Sequence, residues 1–559
     1  VQDWLDNDSK GATAPGRLNY LGILALIFLA GVVARLYRVG EQILIDDEWH
    51  ALNAVQHHDL GWIFTHFGVS DHSIPLTLFY EMEYQLVGLS ELLMRWPMLL
   101  AGCISVLLLP YLLRHWLRKP EYLVFAALLA LSPVLIYYSR FARPYALLAL
   151  LEVAALLMAW HWWQQRKTSQ AAAWIFLTVV CVWLNAPAAV MVAPPFFLFS
   201  ILALVNGVRQ RDWRDLAHLL AIGIATAIPL AALLGPPLIT EPWAISGKGG
   251  QHYINAETLP WAISLASGTG HAWVWIFMTV LAILGSRVLL ARDRAFARYL
   301  LAAITMAALM LCLTGAAWAM HGNVFLRYLI GLLPLYLMFV TLGLVEATQW
   351  LVSKSRAPSS TTGIILAALV VSLVIQGPIP DWPIRINQFQ THQNYHFNYN
   401  WEDNIYIQHM AGWYRPEDFY AEIAAEHEPG EAVIVVAPWN LASFANPMNL
   451  QQEVHRQKVL VGFVNGVCSE PFFGEITAGQ PGMKFRNFVP LQDILDGKRR
   501  ADYLVLVRQY TSNLAIENRM DFDRCEQAAR DRFGDPWRET EFSVVFRIAP
   551  DHRRHHVQP

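Results

Sequence analysis

Three adjacent carboxylates, Asp46, Asp47 and Glu48 in "LIDDEWHAL", follow closely on an apolar run, 18–37, long enough to cross a membrane. Adjacent negative charges raise one another's pKa, and a positioned carboxylate can take a proton from a hydroxyl nucleophile. Arg140 and Arg143 in "SRFARPY", with Tyr145, close a later apolar run, and Arg327 with Tyr328 in "FLRYL" opens another. A guanidinium offers a planar fork to phosphate oxygens. His72 lies beyond the carboxylates, next to Asp71. Carboxylates with imidazole suit Mn or Zn, and carboxylates alone suit Mg; no fixed ligand spacing accompanies them, so a divalent cation stays an open alternative. Plainer readings stand beside these: a solvated acidic loop or a helix N-cap for 46–48, snorkelling for the arginines, and an aromatic belt for Tyr145.

The elements that position these groups are membrane helices. Of 559 residues, 55% are hydrophobic and 15% charged, and mean hydropathy is positive, as in a polytopic membrane protein and not a large soluble enzyme. A net charge of -3 argues against a nucleic-acid partner. Apolar runs lie at 18–37, 92–116, 122–138, 146–163, 171–183, 189–204, 216–234, 273–290, 299–319, 325–345 and 364–375, which predicts a polytopic α-helical protein with about 11–13 transmembrane helices. The loops at 114–119, 164–167, 209–214, 286–298 and 353–356 are basic. The positive-inside rule assigns them, and the N-terminus with Lys10 and Arg17, to the cytoplasm. Residues 46–48 and everything after about 379 then face outward. The first apolar run starts late and is of full spanning length, so it reads as a retained anchor and not a cleaved signal.

After 379 the texture changes. Short β-rich runs at 431–437, 502–507 and 542–548 and a helix-like stretch at 416–427 predict a small α/β domain. The chain thus divides into a helical membrane module, 1–378, and a C-terminal extracytoplasmic α/β domain, 379–559. Cys103, Cys181 and Cys312 fall in apolar runs, as buried thiols do. Cys468 and Cys525 both fall in the outer domain, where a disulfide is open. The first outer loop, 39–90, contains two amphipathic stretches, 50–67 and 74–88, suited to lie along the interface and to roof a cavity. The aromatic stretch 392–406 suits sugar stacking or packing at the interface.

Four segments occur in order: "RLYRVGEQILIDDEWHAL" (35–52), "HSIPLTLFYEMEYQLVGLSELLMRWPMLLAGCISVLLLPYLL" (72–113), "YYSRFARPYALLALL" (137–151) and "FLRYLIGLLPLY" (325–336). Together they resemble the GT-C glycosyltransferases, and within them the prokaryotic family 39 and 83 group, which includes protein O-mannosyltransferases and lipid A aminoarabinose transferases. The likeness is strongest over 18–150, weaker but ordered to about 340, and absent beyond 379. It implies a GT-C fold in the inner (cytoplasmic) membrane and transfer of a sugar from a polyprenyl-phosphate carrier, at the outer face, to a hydroxyl of a glycan, lipid or protein. By this resemblance Asp47 is the base and Glu48 its partner, while Asp46 is an extra acid that the family pattern does not require. Arg143 and Arg327 become donor-phosphate contacts, supported by Arg140, Tyr145, Tyr328 and His72. A departing phosphate needs fixed cations and no general acid. "DHSIPL" has one proline where relatives carry a His or Lys before Pro-Pro-Leu, so the alignment of His72 is open. Arg327 is expected to begin the tenth span, where a cation opposes the helix dipole unless a phosphate compensates. The outer loop 236–272, with Lys248, His252 and His271, is expected to order over bound donor, although each of the three alone is more often an ordinary loop residue. Displacement with a single base implies inversion.

Three other readings compete. A transporter would show repeated halves and charge at the bilayer midplane, whereas the notable charges here gather on one face. A non-catalytic assembly subunit could keep a GT-C-like fold. A polymerase or ligase would use the same lipid-linked donor but transfer a chain.

Overall fold

Apolar side chains drive each of the eleven runs into helix over most of its length, and polar or proline-bearing stretches set where the helices stop. The computed structural model describes residues 14–37, 39, 44, 47–68, 72–246, 249–250, 253–269, 271–316, 319–355, 359–375, 415–437, 448–463, 488–508 and 522–548. Helix α1 (Ala14–Leu36) leads to three helices of the loop 39–90, α2 (Glu48–His57), α3 (Leu60–Thr65) and α4 (Ile74–Val87). Next come α5 (Glu91–Leu112), the bent pair α6 (Lys119–Leu131) and α7 (Pro133–Ser139), then α8 (Tyr145–Gln165) and α9 (Thr168–Leu184). A second bent pair joins α10 (Ala189–Val192) to α11 (Pro194–Gln210), followed by α12 (Arg214–Thr240) and α13 (Trp243–Ser246). The helical part closes with α14 (Thr258–Ser267), α15 (Ala272–Arg292), α16 (Arg294–Thr314), α17 (Gly322–Tyr328), α18 (Leu332–Ser355) and α19 (Ser359–Ile375). Among the described residues seven helices are long and apolar enough to cross a membrane, or nine if each bent pair is one span, and Thr168–Leu184 and Thr361–Ser372 are shorter apolar helices.

One expected span is corrected. The run 325–345 is not a single helix: α17 ends at Tyr328 and α18 begins at Leu332, with a turn between them. Arg327 therefore sits in the last turn of a short helix. There the carbonyl dipoles favour a cation, so no phosphate is needed to offset the dipole.

The 56° bend between α6 and α7 has a covalent cause. Pro133 has no N–H and disfavours helical backbone at Ser132. Arg35 of α1, 1% exposed, fills the gap, donating to the freed carbonyls of Leu129 (3.1 Å) and Ala130 (2.9 Å), to Gly31 O (2.9 Å) and to Ser139 Oγ (3.2 Å). Small residues allow the close approach these helices need. A methyl group at Gly102 would overlap Ser139 Oγ, and methyls at Gly285 of α15 and Gly343 of α18 would overlap the carbonyl oxygens of Phe339 and Leu281.

The C-terminal part is a sheet of order β3-β2-β1-β4-β6-β5. Its elements are α20 (Asp418–Glu426), β1 (Val433–Ala437), α21 (Met448–His455), β2 (Lys458–Phe463), β3 (Phe488–Pro490), α22 (Leu491–Leu495), β4 (Tyr503–Val507), α23 (Phe522–Phe533), β5 (Arg538–Glu539) and β6 (Ser543–Arg547). β1 to β4 are parallel; β6 runs antiparallel to β4 and β5 antiparallel to β6. Strands β1 and β4 are buried throughout, as central parallel strands are when both faces are covered. Tyr420 and Ile423 of α20 cover one face, with Val436 and Val505, while Ile494 and Ala529 cover the other, with Leu504 and Phe546. The first of these clusters continues into Leu52, Ile63, Leu76 and Tyr80 of the outer loop. Cys525 is disulfide-bonded; Cys468, the 378/379 boundary and the stretch 392–406 lie outside the described residues.

Candidate functional site

Asp47 stands at the N-cap of α2, where an Asp side chain ordinarily accepts an amide of the first turn, yet it makes no such bond. Its Oδ2 instead accepts from Arg327 Nη1 at 2.7 Å, across 280 residues of sequence. Both side chains are about nine-tenths buried or more, at 6% and 10% exposed. His50, one turn on, places Nε2 3.5 Å from Asp47 Oδ1. Burial alone would push the Asp47 carboxyl up, but the Arg327 guanidinium, the hydrogen bond with His50 and the charge of Arg143 outweigh it and hold the group far below the usual carboxylate range.

Two tyrosines flank the arginine. The Arg327 guanidinium carbon lies 5.4 Å from the Tyr145 ring centroid and 5.8 Å from that of Tyr328, within cation–π range. Tyr145 in turn packs on Tyr138, with ring centroids 4.9 Å apart. Arg327 Nε has no hydrogen-bond partner among the described residues. A phosphate or carboxylate oxygen is the natural complement of such a donor.

Glu48 is turned to a different task. Its oxygens accept a fork from Arg95 Nε (2.9 Å) and Nη2 (2.8 Å), and Oε1 also accepts from the Ala142 backbone N–H at 2.7 Å. Glu48 and Arg95 are both 0% exposed. The pair ties α2 to α5 and to the short segment between α7 and α8 that carries Arg140 and Arg143. Tyr80 of α4 braces the same place, donating to Met94 O at 2.8 Å. Arg140 and Arg143 are both buried, and Arg143 hydrogen-bonds Tyr145.

A further carboxylate lies two turns along α8 from Tyr145. Glu152, 1% exposed, accepts from the Gly331 backbone N–H through Oε2 at 2.8 Å. Gly331 belongs to the turn between α17 and α18, so Glu152 fixes the peptide that follows Arg327 and Tyr328; a methyl group at Gly331 would meet its carboxylate. Sequence reasoning missed both Arg95 and Glu152. The usable signal was an acid inside an apolar run, since an ionisable group at membrane depth is functional by default.

The other expected residues are not all gathered here. His72 is buried with Nδ1 2.9 Å from Thr77 Oγ1 and Nε2 3.1 Å from His66 O, so its ring shapes the outer loop. Glu241, at the end of α12, tethers that loop by accepting from Phe67 N (2.7 Å) and Gly68 N (3.0 Å). His271 is exposed at the start of α15. Asp46, Asp71, Lys248 and His252 lie outside the described residues. Among the described residues no three His, Cys, Asp or Glu side chains gather as metal ligands. Asp47 and Glu48 are each paired with an arginine, and His72 is held within its own loop.

No family model matches the chain, and no curated protein matches it. Solved structures resemble it at low identity. One is the archaeal oligosaccharyltransferase AglB from Archaeoglobus fulgidus in complex with an inhibitory peptide and a dolichol-phosphate: 13% identity, TM-score 0.45, covering 89% of this chain and 70% of that one. Another is ArnT from Cupriavidus metallidurans bound to undecaprenyl phosphate, with 13% identity, TM-score 0.44, and 97% and 100% coverage. An AglB structure in complex with Zn and sulfate stands at 14% identity and TM-score 0.40, covering 87% of this chain and 68% of that one. AglB and ArnT are both membrane glycosyltransferases of the GT-C superfamily.

Proposed function

We propose that this chain is a membrane glycosyltransferase that moves a sugar from a polyprenyl-phosphate carrier to an acceptor hydroxyl, with inversion, during assembly of a cell-envelope glycan, lipid or glycoprotein. The observation that carries the reading is the buried Asp47–Arg327 pair, which joins a group able to take a proton to one able to hold a phosphate. At rest each mutes the other, because a carboxylate held by a guanidinium is a weak base. A donor phosphate arriving beside Tyr145 and Tyr328 competes for Arg327. Asp47 then loses its countercharge and gains proton affinity.

The acceptor oxygen attacks the anomeric carbon opposite the phosphate oxygen. The carbon–oxygen bond to phosphate breaks, its electron pair leaves with the polyprenyl phosphate, and the acceptor's proton passes to Asp47. Arg327 and Arg143 face the charge that develops on the leaving group, where fixed cations in a dry site act most strongly. Glu48 and Arg95 hold the segment that carries Arg143, and Glu152 holds the turn after Arg327. The basic-loop bias supports a site at the outer face of the membrane, with the N-terminus cytoplasmic; the inner membrane is the location this reading implies.

The test is release of polyprenyl phosphate from a panel of polyprenyl-phosphate sugars by the full chain in nanodiscs. The wild type is expected to turn over at least one donor, Asp47→Asn to bind that donor without turnover, and Arg327→Ala to bind it weakly. A wild type that neither binds nor cleaves any donor overturns the reading. Retention of configuration in the product overturns the single-displacement mechanism.

A further inference from the structure

At the end of the helical module opposite Asp47, three of the basic loops converge. Helix α5 starts beside Glu48 with Arg95 and ends at Leu112; α8 starts with Tyr145 and ends at Gln165. At 1.5 Å per residue each carries the chain about 30 Å away from the Asp47 site. There, residues 114–119, the end of α8 and the α15–α16 junction line an open basin of ≈ 800 Å³, whose lining includes His115, Trp116, Arg118, His161, Arg292 and Arg294.

The acids in this place are already engaged. Glu121, 0% exposed, takes a bidentate fork from Arg292 at 2.6 and 2.7 Å and accepts from the Arg118 backbone N–H at 2.7 Å. Asp293 accepts from Trp116 Nε1 at 3.0 Å and caps α16 through Phe296 N at 3.0 Å. Trp116, stacked on Phe296 with ring centroids 3.7 Å apart, gives the basin a rigid aromatic wall. Over it stand Arg118, whose guanidinium has a 3.4 Å hydrogen bond to neutral Gln349, and Arg294, which has no ion pair among the described residues; both are exposed. Arg118 and Arg294 thus stand beside two imidazoles and outnumber Asp293, the one acid of the lining, which is held only by neutral donors, so the basin is net positive.

We propose that this basin, at the end of the module opposite Asp47, binds the phosphate headgroup of a membrane lipid. Guanidinium forks suit phosphate oxygens, and basic pockets between membrane helices on this side take phosphorylated headgroups. The inference does not depend on the transferase reading.

The test measures lipid binding by native mass spectrometry of the full chain, comparing the wild type with the double variant Arg118→Gln/Arg294→Gln. The probes are phosphatidic acid, diacylglycerol and inorganic phosphate. The wild type is expected to bind phosphatidic acid about 10- to 30-fold more tightly than the double variant, to bind diacylglycerol as weakly as the variant does, and to lose little phosphatidic acid to millimolar inorganic phosphate. Because both side chains are exposed, the variant keeps its fold, which its unchanged thermal unfolding verifies; Arg118→Lys/Arg294→Lys is expected to recover part of the affinity. Equal binding of phosphatidic acid by wild type and Gln variant overturns the site. Inorganic phosphate that binds as tightly as the lipid, and displaces it, overturns the lipid as occupant.

Discussion

At the Asp47 end of the module Asp47 and Glu48 are buried and each has an arginine of its own, Arg327 and Arg95. At the opposite end Arg292 has Glu121, but Arg118 and Arg294 stand exposed beside the cavity. The difference is one of solvent. A buried charge costs several kcal/mol unless it is paired, so at the dry end Arg95 and Arg327 are each matched to an acid. The wet end tolerates guanidiniums without countercharge because water and salt screen them. In the proposed reaction a donor phosphate competes for Arg327 at the first end, whereas the proposed lipid site at the second displaces no acid.

The largest effect that would break this contrast is on turnover. Asp47→Asn is expected to lower polyprenyl phosphate release by about 10²- to 10⁴-fold, whereas Arg118→Gln/Arg294→Gln leaves it within twofold. Equal losses in both variants would dissolve the distinction between the two ends. Next comes stability. Glu48→Ala strands Arg95 in a fully buried place and is expected to cost about 3–5 kcal/mol. Glu121→Ala should cost less, about 1–3 kcal/mol, because Arg292 is 20% exposed and can turn to water. Chemical denaturation in detergent would rank the two.

Glu152→Leu leaves the Gly331 N–H without its acceptor and loosens the turn behind Arg327. Turnover is expected to fall about tenfold with donor KM nearly unchanged, a cost of ~1.4 kcal/mol, and Glu152→Gln to recover most of it through its carbonyl oxygen. A smaller effect concerns Glu83 of α4, an acid at the dry end with no arginine; it accepts from the Trp96 indole N–H, and its Oε2 has no partner among the described residues. Burial pushes its carboxyl up to about 7, against the lowering effect of Trp96. The folded chain thus holds a proton that the unfolded chain has released above its own value of about 4.3, so stability falls as pH rises from there through about 7 and is flat beyond. Glu83→Gln should raise Tm by on the order of 1–2 °C at pH 8 and leave it unchanged near pH 4, as thermal shift scans would record.

Much of this arrangement was legible in the sequence. Acids after the first run and arginines after later ones had to share a face once the spans were counted, and the period of 50–67 and 74–88 foretold the outer-loop helices. The bend at Pro133 was not read: 122–138 passed as one span, although a proline inside an apolar run disfavours helical backbone just before it. The pairings were not legible, because Asp47 meets Arg327 only when the helices between them have packed. Arg95 lies one turn inside a run that reads as membrane, where a lone cation looks like snorkelling. The turn at 329–331 was hidden for another reason: "LIG" continues an apolar pattern, and hydropathy does not register backbone direction. Strands β2, β3 and β5 flank the two central strands, and the last two are too short to give a period.

The seam between α15 and α18 has a mechanical consequence. With Gly285 and Gly343 set against opposing carbonyls, the two helices touch backbone to backbone, leaving no side-chain layer to slide on. A lipid tail cannot part them without breaking that contact along its length. The α15–α18 pair therefore holds together as one rigid unit of the helical module.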